Sequence, residues 1–325
     1  MLLPAHEFVK PATLAEGLAA LARAGAGGRL MGGGTDVVFN MRNRLVQPAV
    51  LISLRSLPEL QGVEERAEGW LRIGAGTRLT DLVGDTRIVA RYPALADAFR
   101  SVASTHVRNM ATLGGNLNLE TRCWYTNQTR EWRAARGGCL KTGTDACHVI
   151  QGASRCVAIN NADTPPALIA LDARVTLASV ASTRTVLLAD YYRADGVRHT
   201  ICGPDEIVTE VLIPPGSGRL VYLKDTARQG IDFAYGVVAA CAEKVSPRPS
   251  ALRLVIGSLG PAPVVLRRPA AIAMQRGLDD TYIDEAAEAV REELGPLSNL
   301  YTPAAYKSEL ARALVRRALR QLREQ

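Results

Sequence analysis

Leu30-Met31-Gly32-Gly33-Gly34-Thr35-Asp36 is the stretch whose reading decides the fold. A short strand over Arg29–Met31 runs into three glycines, and a helix is predicted to start near Asp36. Glycine lacks a Cβ, so its backbone can approach a ligand closely, and successive N–H groups make a nest for an anion. A second loop of the same make, Thr112-Leu113-Gly114-Gly115-Asn116, follows further along the chain. Two such loops can clasp a pyrophosphate between them. Neither is a GxGxxG fingerprint, and neither carries the lysine of a P-loop. Each by itself also reads as a tight turn.

Working outward, the first loop sits in a βα frame. Thr13 and Glu16 have capping-box spacing, Leu14, Leu18 and Leu21 share a helical face, and Gly25 can close that helix. Ala49–Leu54 reads as a buried strand, and Leu71–Gly74 with Thr77–Val83 continues a β-then-α pattern. Residues 118–158 break the pattern: Trp124, Tyr125, Trp132 and four cysteines fall there with no sustained period. Long segments of this kind are functional or disordered, and four cysteines argue for function. Regular structure resumes at Ala167–Leu171 and in an alternating strand, Ala173–Val180. Pro214-Pro215-Gly216-Ser217-Gly218 is the linker candidate. Beyond it, Phe233–Cys241 and Leu252–Leu259 read as strands and Asp280–Leu294 as a helix. A last helix is capped by Thr302 and Pro303, with Tyr306, Leu310, Leu314, Ala318 and Leu322 as its apolar stripe. The divisions expected are 1–56, 57–216 with the insert 118–158, and 217–325.

Composition sets the class. The chain has 325 residues, 47% hydrophobic and 22% charged, which suits a globular protein of two or three units and excludes a disordered polyelectrolyte. No apolar run is long enough for a membrane helix, and Met1–Lys10 lacks a signal-peptide pattern, so a cytoplasmic protein without membrane contact is expected. Much of the net charge of +7 sits on Arg312, Arg316, Arg317, Arg320 and Arg323. No zinc finger, RRM signature or basic run accompanies them, so no nucleic-acid partner is expected. Cys123, Cys139, Cys147 and Cys156 cluster, whereas Cys202 and Cys241 stand apart, and disulfides are not expected inside a cell.

The glycine loops, with Leu57-Pro58-Glu59-Leu60, Ile73-Gly74-Ala75 and Val107-Arg108-Asn109, resemble the FAD-binding subunits of the molybdenum hydroxylase family. The resemblance continues through Asp163–Leu168, Pro204–Ile207, Lys224–Asp232, Pro296-Leu297-Ser298 and Ala304-Ala305-Tyr306, nearly the whole chain. It implies an α+β protein with the p-cresol methylhydroxylase-like FAD-binding fold. That fold has two α/β subdomains, followed by a C-terminal domain of antiparallel strands and helices. It also implies that Leu30, Met31, Gly32, Gly33, Gly34, Thr35, Asp36, Thr112, Gly114, Gly115 and Asn116 hold FAD. Asp163 would hydrogen-bond the cofactor and Lys224 would lie near the flavin ring edge. The first loop reads GGGTD where AGGTD is more usual in the family, a harmless additional glycine.

Most relatives are far shorter between Asn116 and Asp163. The four cysteines of this insert are separated by fifteen, seven and eight residues. Four thiolates suit tetrahedral zinc or a cubane cluster, and the spacing is neither the paired CxxC of a zinc ribbon nor a ferredoxin run. From spacing alone, zinc, cluster and unligated thiols all stand. The insert is similar to that of the 4-hydroxybenzoyl-CoA reductase branch of the family, which implies a 4Fe–4S cluster on Cys123, Cys139, Cys147 and Cys156. The same resemblance implies a molybdopterin-binding large subunit, a 2Fe–2S small subunit and a ferredoxin donor. This chain would then relay electrons among those centres, with substrate chemistry on another subunit and no catalytic residue here.

Overall fold

The computed structural model describes residues 2–324 apart from 217, 229, 247, 297 and 299–301. Ser217 of the expected linker, Gln229 within Lys224–Asp232 and Leu297 of the C-terminal resemblance thus lie outside the described residues.

The N-terminal sheet contains β1 (Glu7–Val9), β2 (Gly28–Met31) and β3 (Val50–Ser53), all parallel in the spatial order β1-β3-β2. Parallel neighbours need crossovers, and helix Leu14–Ala24 lies in the connection from β1 to β2. Half of the expected capping box forms at its start: Thr13 Oγ1 accepts from Glu16 N at 3.2 Å, but the Glu16 carboxylate accepts from Ala12 N, one residue before the cap, at 2.8 Å. Leu18 and Leu21 pack with Ile52 of β3. The chain leaves β2 at Met31 straight into the triple glycine, and helix Val37–Arg42 follows it.

The next sheet comprises β4 (Val63–Glu65), β5 (Leu71–Gly74), β6 (Arg174–Ala178), β7 (Thr183–Leu187) and β8 (Ile207–Ile213), ordered β4-β5-β8-β6-β7. Every pairing in it is antiparallel. The β-then-α reading around Leu71–Val83 found the right elements, but β5 pairs with the distant β8 rather than entering a βαβ crossover. Between β5 and β6 the chain makes the short helices that carry the second glycine loop and the cysteine insert. Phe99, Leu113, Leu168, Val175 and Val211 fill one core beneath it. Ala167–Ala170 belongs to a helix, Pro165–Ala170, with two prolines in the first turn, every residue buried and Leu171 at its C-terminal cap.

The C-terminal sheet holds β9 (Arg219–Asp225), β10 (Gly236–Ala242), β11 (Arg253–Gly257) and β12 (Val264–Val265), antiparallel in the order β12-β11-β10-β9. β10 is buried throughout because its two faces serve two cores. Ala239 and Cys241 join the core of the preceding sheet. Val238, Ala240 and Ala242 face the core built with helices Arg267–Arg276, Asp280–Glu293 and Ala304–Glu324. The last helix buries Ala311, Leu314, Val315, Ala318, Leu319 and Leu322, while Tyr306 at the head of the expected stripe stands half exposed.

Candidate functional site

A cleft of about 1170 Å³ runs between the sheets. Leu30, Gly32, Gly33, Gly34, Thr35 and Asp36 line it from the first loop, and Thr112, Gly114, Gly115 and Asn116 from the second. Asp163 also lines it, whereas Met31 and Lys224 are not part of its wall. Sequence reasoning missed the stem residues Glu120 and Arg122, which line it too. No loop motif marks them; only their place between the glycine loop and Cys123 could have drawn notice.

The two loops touch, which changes the reason for one glycine. A Cβ on Gly33 would lie 1.7 Å from the Met110 carbonyl oxygen, so the first requirement for bare backbone here is contact with the backbone leading into the second loop rather than with a ligand. Thr112 caps the helix Leu113–Leu117, its Oγ1 accepting from Gly115 N at 3.1 Å. Asn116 Oδ1 accepts from Thr164 N at 3.3 Å and from Thr164 Oγ1 at 2.6 Å, fastening this loop to the residue after Asp163.

Asp163 and Lys224 form a buried pair. Lys224 Nζ donates to Asp163 Oδ2 at 2.9 Å, Ser101 O at 2.8 Å and Asp232 O at 3.3 Å. Burial pushes the Asp163 carboxyl up to about 6, against the opposing pull of the Lys224 charge. Its second oxygen, Oδ1, is buried without a hydrogen-bond partner among the described residues. A buried acceptor left open on the wall of a cleft suits a hydrogen-bonding ligand. With the cleft volume and paired loops, it makes the residues present fit a dinucleotide.

The cysteine insert is rooted in this wall. Arg122 and Ile159 exchange backbone hydrogen bonds of 2.7 and 2.8 Å, closing its stem. The Arg122 guanidinium pairs with Asp36 of the first loop, whose own carboxyl is pushed up by burial and pulled back by that charge. Lys141 Nζ donates to Glu120 Oε1 at 2.7 Å and Gly196 O at 2.6 Å, and Glu120 also pairs with Arg29 at 2.9 Å. Arg133 Nη2 donates to Asn43 O at 2.8 Å and Arg44 O at 3.2 Å. Inside the insert, Tyr125, Trp132, His148 and Arg136 pack together, whereas Trp124 stands exposed.

The four cysteine sulphurs share a chemistry that Cys202 and Cys241 lack. Burial pushes the Cys123 thiol up, while the N–H groups of Tyr125 and Thr126 pull it back. Burial also raises Cys139, but the hydroxyls of Thr126 and Thr142 and the N–H groups of Lys141 and Thr142 outweigh it and leave that thiol below its ordinary value. Cys147 Sγ accepts from Ile150 N at 3.4 Å. Burial pushes Cys156 up against the N–H of Ala158. Backbone donors aimed at sulphur favour a thiolate or a metal-bound sulphur. By contrast, Cys202 donates to Glu206 O at 3.5 Å, and burial pushes its thiol up to about 11 and that of Cys241 to about 12. Charge on Cys139 and Cys147 acts on Cys123, and charge on Cys123 and Cys139 acts on Cys156. Among the described residues, no three His, Cys, Asp or Glu side chains converge as a site for a single metal ion.

Residues 4–216 match the FAD binding domain in molybdopterin dehydrogenase, and residues 221–322 match the CO dehydrogenase flavoprotein C-terminal domain. The chain belongs to this molybdopterin dehydrogenase flavoprotein family. Within it, the aldehyde oxidoreductase FAD-binding subunit PaoB of Escherichia coli is 35% identical over 224 residues, 66% of this chain and 70% of that one. The carbon monoxide dehydrogenase medium chain of Hydrogenophaga pseudoflava is 28% identical over 326 residues, covering 98% and 97%. A solved structure of carbon monoxide dehydrogenase from that organism superposes with a TM-score of 0.82 at 25% identity, over 98% of both chains. Quinoline 2-oxidoreductase from Pseudomonas putida 86 shares the fold at TM-score 0.82 and 23% identity. The α+β fold is thus that of the family's medium chains: an FAD-binding region with parallel and antiparallel sheets, then an antiparallel sheet with helices. Among the described residues, no helix of this flavoprotein is long and apolar enough to cross a membrane.

Proposed function

We propose that this chain is the FAD-carrying medium subunit of a molybdenum oxidoreductase complex, and that its cysteine insert holds a 4Fe–4S cluster beside the flavin. The observation that carries the reading is the stem: Arg122 closes the insert against Ile159, immediately precedes Cys123, and lines the same cleft as both glycine loops. Gly32–Asp36, Thr112–Asn116 and Asp163 would hold FAD; Cys123, Cys139, Cys147 and Cys156 would hold the cluster. A cubane gives each cysteine its own iron, so its sulphurs need not meet round one point as they would for zinc. When bound, FAD supplies one- and two-electron redox chemistry and the cluster one-electron chemistry.

The chain's own residues bind and tune. Asp163 offers Oδ1 to the cofactor, and Lys224 acts through Asp163, holding it ionised and oriented from behind the wall. Backbone N–H groups stabilise charge on the four sulphurs. Its partners in this reading are a molybdopterin-binding large subunit, a 2Fe–2S small subunit and a ferredoxin-type carrier that exchanges single electrons with the complex. The identity to PaoB favours an aldehyde as the substrate of the large subunit. A second reading, reductive dehydroxylation of 4-hydroxybenzoyl-CoA, rests on the resemblance of the insert. The complex purified without oxygen should yield both partner subunits, one FAD and, on this chain, about four iron and four sulphide. Turnover of an aldehyde with a one-electron acceptor supports the first substrate; ferredoxin-driven consumption of 4-hydroxybenzoyl-CoA supports the second. Stoichiometric zinc in place of iron would refute the cluster.

A further inference from the structure

Arg122 occupies a junction that neither the glycine loops nor the cysteines explain. Its side chain is 15% exposed. Its guanidinium pairs with Asp36, reaches Asn40 Oδ1 at 3.4 Å, and lies 5.2 Å from the ring centre of Phe39 and 5.5 Å from that of Phe233. Asp36, Asn40 and Phe39 belong to the first glycine loop and the helix after it; Phe233 belongs to the segment between β9 and β10. That segment lines the cleft through Ile231, Asp232 and Phe233. One side chain from the insert therefore joins three parts of the chain at one wall. Its Nε is buried and has no partner among the described residues, although the terminal nitrogens are engaged. A buried guanidinium donor left open is costly unless a ligand supplies the acceptor.

We infer that Arg122 is a positioning residue for the flavin nucleotide: it draws the Ile231–Phe233 segment against the first glycine loop, and its open Nε donates to an oxygen of the bound cofactor. FAD retention then depends on the insert even though the four cysteines are not part of the cleft wall. The inference rests on the proposal that this cleft holds FAD. Cation–π contact with Phe39 and Phe233 holds the guanidinium beside apolar surface while its nitrogens serve Asp36 and the cofactor.

The test uses the full chain loaded with FAD and follows three quantities: the rate of FAD release by fluorescence, iodide quenching of the bound flavin, and the Tm of the FAD-free chain. Arg122→Met removes a charge-assisted hydrogen bond, and release should accelerate about 10- to 100-fold. Arg122→Lys keeps the charge but not the fork and should recover part of the retention. Phe233→Ala alters a ring that is 44% exposed, leaves the insert stem intact, and should raise release several-fold with greater quenching and unchanged Tm. If Arg122→Met loses so much Tm that it cannot be loaded, Phe233→Ala decides. Wild-type release rates in both Arg122→Met and Phe233→Ala would overturn the inference while leaving FAD in the cleft. Failure of the wild-type chain to retain FAD would overturn the cleft assignment itself.

Discussion

Replacing Lys224 with Met isolates the buried pair beneath the cleft. The two side chains are 9% and 5% exposed, so solvent screens their attraction little. In the native chain burial pushes the Asp163 carboxyl up to about 6, with Lys224 opposing that rise. The gap from the ordinary 3.8 corresponds to roughly 3 kcal/mol, and its sign runs against stability at neutral pH. Below about pH 4 the carboxyl is protonated in folded and unfolded chains alike, and it contributes nothing. From about pH 4 to 6 the unfolded chain ionises first, so this contribution falls as pH rises; above about 6 the whole penalty stands. Lys224→Met removes the compensating charge, and stranding a buried carboxylate costs about 3–5 kcal/mol near pH 7.5. Near pH 5 the carboxyl is mostly protonated in the folded chain, and the loss should shrink to about 1–2 kcal/mol of hydrogen bonding. Urea unfolding of the FAD-free chain at the two pH values measures both numbers. Equal losses at the two, or less than about 1 kcal/mol at the higher, would refute the account of Asp163 as a carboxylate held in place by Lys224.

Gly33→Ala drives a Cβ to 1.7 Å from a backbone oxygen, so the loops must part; a loss of about 3 kcal/mol or more is expected by Tm, with weaker FAD retention. Gly115→Ala meets Thr112 Oγ1 at 3.0 Å and should cost clearly less. Single Ser replacements of Cys123, Cys139, Cys147 or Cys156 should each lower iron per folded chain in anaerobic preparations, whereas Cys202→Ser and Cys241→Ser should not. Gly196→Ala places a Cβ 2.8 Å from Cys156 Sγ and should lower iron without removing a ligand. Exchanging residues 124–157 for a short Gly/Ser linker keeps Arg122 and the stem, and loop closure changes by only about 0.6 kcal/mol per doubling of length. That chain should bind FAD with a lower Tm, because Arg133 no longer fastens Asn43 and Arg44. In the complex it should accept electrons from a small dye but not from ferredoxin; an unchanged ferredoxin rate would sink the relay role of the insert.

The sequence alone determined the local pieces. Strand-to-glycine punctuation at Met31–Gly34, the Thr13 cap on the first helix and a strand within Phe233–Cys241 follow from short-range sterics and periodicity; the structure has the punctuation and the cap, and it starts that strand at Gly236. The cleft loops were legible for the same reason, since bare backbone in pairs is a local signal. Partners are another matter. A β-then-α pattern says that β5 is a strand and not that β8 lies beside it, because pairing at that separation is chosen by which apolar faces close a common core. Likewise, a run of glycines does not reveal that Gly33 answers to Met110. Nor does a lysine in a strand reveal that Lys224 stands behind Asp163 and off the cleft wall. Arg122 was missed as a site residue because no motif marks it beyond its place next to Cys123. Only the closure of the insert on Ile159 brings its guanidinium to Asp36, Phe39 and Phe233, since contacts between segments so far apart exist only once the chain has folded.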